Sequence, residues 1–152
     1  KMQFHLYNNH FRFNFAQNLQ LESKLTDIKN IEDIQQFVNE FYGKIQKDHL
    51  IGLIFNERIE GRWPAHLAKM YTFWETILLG NQTYFGSPFP PHATLPVEKK
   101  HFDRWLEIFH ATINHLFEGE IAEEAKWRAG KMAQMFQFKI NHIQTNPGKS
   151  LV

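Results

Sequence analysis

The sequence predicts an all-α domain, and three observations carry that expectation. From Asn30 onward, apolar residues recur at helical spacing in separate stretches that end in glycine or polar residues. Strict apolar–polar alternation, the mark of a half-buried strand, is confined to the segment Phe4, Leu6, Phe11, Phe13 and Phe15. Residues 80–97 break the helical pattern once, with four of the six prolines between 88 and 96.

Each element follows from its residues. The N-terminal alternation, broken at Asn8-Asn9, admits a hairpin or an arm without fixed structure, so residues 1–26 form an extension to the domain. Asn30 is a good N-cap with Asp33 three residues on, and Ile31, Ile34, Phe37, Val38, Phe41, Tyr42 and Ile45 make one stripe. Residues 50–62 hold Gly52, Asn56 and Gly61 and read as a connector with at most one short helical turn. A second long helix starts near Pro64, puts His66, Met70, Phe73, Trp74 and Ile77 on one face, and stops at Gly80.

Gly80, Gly86, Pro88, Pro90, Pro91 and Pro96 forbid a long helix in the next segment, and His92 sits among them. A third helix over residues 98–117 turns Phe102, Trp105, Leu106, Phe109 and Ile113 inward. Gly119 separates it from a fourth, residues 120–142, with Ile121, Ala125, Met132, Met135, Phe136 and Ile140 on its inner face. The domain is thus expected over residues 27–143, with a polar tail from 144 to 152.

Composition removes several functions. A chain of 152 residues without cysteine excludes thiolate catalysis, zinc ribbons and iron–sulfur centres, yet is long enough to bury a core unaided. Seventeen basic and sixteen acidic residues with no block of one sign leave no footprint for nucleic acid. Apolar runs stay far short of the roughly 20 residues of a membrane helix, and none near the N-terminus has the length of a secretory signal. A cytoplasmic protein with neither nucleic-acid nor membrane partner is the expectation.

Nine histidines invite a metal reading. His5, His10, His49, His101, His110, His115 and His142 read as surface or satisfied residues. A carboxylate-bridged di-iron bundle needs Glu-x-x-His on two helices, and Glu107–His110 supplies only one. Ser23, Ser87 and Ser150 lie in no nucleophile elbow. His92 differs because prolines fix the short segment that presents it, which suits an axial metal ligand. His66 lies on an apolar helix face, where a partly buried core histidine and a ligand are equally natural. The 15 Phe, 4 Trp and 4 Tyr exceed what a small helical core commonly uses, and a slot for a flat apolar cofactor would account for the excess.

Taken in order, Phe41-Tyr42, Ile54-Phe55-Asn56, Trp63-Pro64-Ala65-His66-Leu67-Ala68-Lys69-Met70, Phe73-Trp74, Leu78-Leu79-Gly80 and His101-Phe102-Asp103-Arg104-Trp105-Leu106 resemble the group III truncated haemoglobins. The resemblance implies a truncated globin fold, a two-over-two helical sandwich, with haem (iron protoporphyrin IX) as cofactor. It further implies His92 as proximal iron ligand, a distal set of Tyr42, His66 and Trp105, and Phe55 on the haem face. Met70, Phe73 and Phe102 would line the pocket, and Lys69 would meet a haem propionate. Reversible binding of dioxygen or another diatomic ligand, held tightly, is the function so implied.

Nitric oxide dioxygenase or peroxidase-like turnover would need an electron donor, since no flavin or nicotinamide motif occurs in the sequence. A haem-less interaction or sensor module on the same fold is the alternative.

Overall fold

The computed structural model describes residues 24–146. The N-terminal alternation and the last six residues lie outside that range. Five α-helices are described: α1 (Ile31–Ile45), α2 (Gly52–Ile59), α3 (Trp63–Leu79), α4 (Lys99–Leu116) and α5 (Glu120–Thr145). A 3₁₀ turn, Pro90–His92, lies between α3 and α4. Among the described residues there is no strand, only an isolated bridge between Thr26 and Phe117.

α1 packs on both α3 and α4, and α5 packs on α4 with a smaller contact to α3. The pairs α1/α3 and α4/α5 are therefore the two layers of the expected sandwich. α1 opens with the full reciprocal cap: Asp33 N–H donates to Asn30 Oδ1 at 2.9 Å, and Asn30 N–H donates to Asp33 Oδ2 at 3.2 Å. α3 carries Pro64 in its first turn and ends at Gly80, whose φ of 73° is the left-handed conformation that closes a helix.

The core is aromatic. Phe37, Phe41 and Phe109 are fully buried, and Phe109 is the common neighbour. Its ring meets Phe37 and Phe41 edge-on at 5.9 and 5.3 Å, and stacks with Trp74 at 5.0 Å and Trp105 at 5.4 Å. Such pairs add to area burial because ring edges and faces carry opposite partial charge. On α5 the buried face is narrow, with Ala122, Ala125, Ala129 and Ala133, so α5 approaches its neighbours closely.

Two sequence expectations need correction. The stretch 50–62 is mostly a helix, α2, of eight residues. Asp48 shapes the turn that leads into it: Oδ1 accepts from the N–H groups of Leu50 and Ile51 at 2.9 and 3.1 Å, and its backbone carbonyl accepts from the Gly52 N–H at 2.9 Å. Gly52, which read as a breaker, is there because the backbone is close; a Cβ would stand 2.9 Å from the Ile45 carbonyl oxygen. Met135, expected inward, is exposed at 42%, since Phe136 and Ala133 take the core side of α5 at that level.

A further cap was invisible locally. Asp27 accepts from Ile121 and Ala122 N–H at 2.8 Å each, so the first turn of α5 is capped by a residue more than ninety positions upstream.

Asp48 also joins the layers, because Arg104 Nε on α4 donates to its Oδ2 at 2.8 Å. Burial alone would raise the Asp48 pKa, but hydrogen bonds from Arg104, Ile51 and Leu50 and the guanidinium charge outweigh it and hold the carboxyl below its ordinary value of 3.8. A depressed folded-state pKa adds stability that is complete above the unfolded-state value and is lost as pH falls through the folded one. Asp48→Asn is therefore expected to destabilise the protein at pH 7, and the gap to wild type should narrow as pH falls below about 4. Urea unfolding at pH 7 and pH 3 checks this; an equal gap at both would contradict it. Phe109→Ala should cost about 3–5 kcal/mol. In a chain of this size that lowers the melting temperature by roughly 6–20 °C.

Candidate functional site

A cavity of about 530 Å³ opens between α1, α2, α3, α4, α5 and the proline-rich segment. The size is that of a small-molecule or cofactor site. All nine candidate site residues contribute to its wall.

His92 comes from the 3₁₀ turn. Pro90 and Pro91 fix φ there, and His92 N–H donates to the Phe89 carbonyl at 2.8 Å, so the turn is stiff. His92 Nδ1 lies 2.7 Å from the Pro88 carbonyl oxygen, an acceptor only, so Nδ1 carries the proton. Nε2 is left with its lone pair and no hydrogen-bond partner among the described residues. Burial pulls the His92 pKa down, against a smaller opposing pull from the Pro88 carbonyl, which keeps the imidazole neutral. A neutral imidazole with one nitrogen anchored and the other free is what a metal ligand requires.

Tyr42 and Trp105 reach the cavity from α1 and α4. Phe41 links them, 4.9 Å from the Tyr42 ring and 5.3 Å from Trp105. Burial pushes the Tyr42 hydroxyl far above its usual pKa, so it stays protonated and can donate. Neither the Tyr42 hydroxyl nor the Trp105 indole N–H meets an acceptor among the described residues.

His66, on α3, stands edge-on to Tyr42, with centroids 4.9 Å apart and planes at 89°. Its Nε2 is buried and unpartnered. Burial above all, then the electrostatic influence of His92 when protonated and of the Lys69 charge, pulls the His66 pKa down to about 4, so the ring is neutral at pH 7.

Apolar side chains make most of the wall: Phe55 on α2, Met70 and Phe73 on α3, Phe102 on α4. Phe109, expected to converge with them, lies behind the wall and not in it. Lys69 stands at the cavity with Arg58 and Arg62, and no carboxylate shares the lining. Among the described residues none of these three cations forms an ion pair. Arg58 donates to the Pro91 carbonyl at 2.7 Å, tying α2 to the His92 turn. Arg58 and Arg62 were missed from the sequence because their stretch read as a connector; Arg58 lies in the last turn of α2 and Arg62 immediately precedes α3.

The comparisons with known proteins agree with this geometry. A family model described as bacterial-like globin matches residues 27–141. The group 3 truncated hemoglobin ctb of Campylobacter jejuni is 35% identical over 112 residues, covering 71% of this chain and 88% of that protein. The crystal structure of the group III truncated hemoglobin from Campylobacter jejuni superposes with a TM-score of 0.70 at 32% identity, covering 76% of this chain and 94% of that one. The chain belongs to the bacterial-like globin family and, within it, to the group III truncated haemoglobins. As a globin it is of the haem-protein type.

The donor set fits that cofactor. A flat apolar body with acidic groups at its edge would cover the aromatic wall, meet the three unpaired cations, and leave the His92 Nε2 lone pair facing a metal. Among the described residues the His92 Nε2 has no hydrogen-bond partner and the three cations have no carboxylate partner.

Proposed function

We propose that this protein would hold haem through His92 and bind dioxygen or another small diatomic ligand in the same cavity, with Tyr42, Trp105 and His66 governing how long the ligand stays. The observation that carries the reading is one cavity wall that holds two donors without acceptors, Tyr42 O–H and Trp105 N–H, together with a neutral, anchored His92. Haem iron held by one imidazole supplies an open coordination position for such a ligand.

The remaining chemistry belongs to the chain. Pro88 holds His92 in one tautomer and one orientation. Phe55, Met70, Phe73 and Phe102 exclude water from the apolar faces of the cofactor. Lys69, Arg58 and Arg62 neutralise acidic groups at the cavity mouth. Tyr42 and Trp105 are fixed donors whose positions are set by aromatic packing, so little reordering accompanies ligand binding.

A cofactor-free interaction module would have no use for the buried, unpartnered His66 Nε2, which is costly, or for a void that forfeits packing. Redox turnover such as nitric oxide dioxygenation would draw electrons from a partner, because the sequence holds no flavin or nicotinamide motif.

Hydrogen bonds to a partly charged group contribute about 1.5–3 kcal/mol. At about 1.4 kcal/mol per factor of ten, Tyr42→Phe or Trp105→Phe should each raise the dioxygen dissociation rate roughly tenfold to a hundredfold. Stopped-flow displacement of dioxygen measures it, and unchanged rates in both variants would refute the retention role. Replacing Arg58, Arg62 and Lys69 together by methionine should speed haem loss to a scavenging apoglobin while leaving the dissociation rate of the diatomic ligand nearly unchanged. Equal haem loss in the triple variant and the wild type would remove the cations from the cofactor site.

A further inference from the structure

Trp63, the first residue of α3, is absent from the cavity wall yet touches two of the groups that face into it. Its ring stands 5.7 Å from His66 with planes at 88°, and 6.0 Å from Tyr42 at 61°. His66 and Tyr42 are themselves perpendicular at 4.9 Å. The three rings close a triangle of edge-to-face contacts. Trp63 is half-buried and packs on the core, whereas His66 has no hydrogen bond at Nε2 to hold it. Its place in the cavity is therefore set by ring contacts, not by a polar partner.

We propose that Trp63 is a positioning residue for His66: its indole holds the imidazole inside the cavity against Tyr42, and so sets the fraction of time that His66 occupies the space a ligand must cross. This rests on the reading of the cavity as a haem and ligand site. Trp63 and His66 are i and i+3 on one helix, adjacent on its surface, so the contact is made as soon as α3 forms. The neutral state of His66 is compatible with an apolar ring neighbour. Losing one such aromatic pair shifts a two-state population by roughly two- to tenfold.

The test combines kinetics with a signal that a merely structural tryptophan would not move. In the haem-loaded full chain, Trp63→Leu should raise the carbon monoxide association rate roughly two- to tenfold. Trp63→Phe, which keeps a ring, should stay close to wild type. In a His66→Ala background Trp63→Leu should have no effect on the rate. The same size of change in both backgrounds would overturn the proposal, because Trp63 would then act without His66. No change in either background would overturn it as well.

With histidines carrying ¹³C, the ring signals of His66 in the carbon monoxide-bound protein should show upfield ring-current shifts. Those shifts should collapse in Trp63→Leu and persist in Trp63→Phe. Shifts unaltered in Trp63→Leu would contradict the contact. A chain that takes up no haem would defeat the haem reading alone, since the same His66 signals in the haem-free protein still decide whether Trp63 holds the ring.

Discussion

The Phe109 ring is the constraint on which the site depends. It stacks with Trp74 and Trp105 and meets Phe37 and Phe41 edge-on, so one side chain on α4 fixes the distance between α4, α1 and α3. Two of those neighbours, Trp74 and Trp105, have their other sides on the cavity. Core packing and site geometry are thus one arrangement. A close-packed aromatic layer holds its shape because each ring has a few discrete positions, and a void beside it persists only when the layer is stiff enough not to collapse.

The second feature is a set of unmatched groups. The cavity combines an apolar wall, three cations without ion pairs, a hydroxyl and an indole donor without acceptors, and two imidazoles whose pKa values burial pulls down. Folding alone gains nothing from the buried, unpartnered His66 Nε2, which carries an energetic penalty. The arrangement of the set is complementary to a planar, amphipathic, metal-bearing group, and family membership gives that group its class. The anchoring of His92 is backbone chemistry throughout: two prolines set the turn, and a third, Pro88, supplies the carbonyl that orders the imidazole.

Much of this was legible in the sequence where the signal was local. The α1 cap at Asn30 and Asp33, the stop at Gly80, and the stripe of His66, Met70 and Phe73 all follow from spacing over a few residues. His92 stood out because prolines isolate it. What stayed hidden was non-local. Asp27 caps a helix on the far side of the chain, and Asp48 both orders the turn before α2 and binds Arg104. The α2 helix could not be read because Gly52 signals a break, whereas here glycine answers the approach of the Ile45 carbonyl. With α2 unread, Arg58 had no helix to place it at the cavity with Lys69. Met135 was misplaced because two adjacent apolar residues leave the inner position ambiguous, and packing against Phe89 and His92 takes Phe136.

The central claim is that His92, ordered by Pro88, holds haem iron in this cavity. The most direct measurement is the absorption spectrum of the haem-titrated full chain, compared with His92→Gly before and after addition of imidazole. The wild type should develop an intense Soret band at one haem per chain, the variant should lack the histidine-ligated spectrum, and imidazole should restore it. A wild-type spectrum indistinguishable from free haem, or a His92→Gly spectrum identical to wild type without imidazole, would contradict the account.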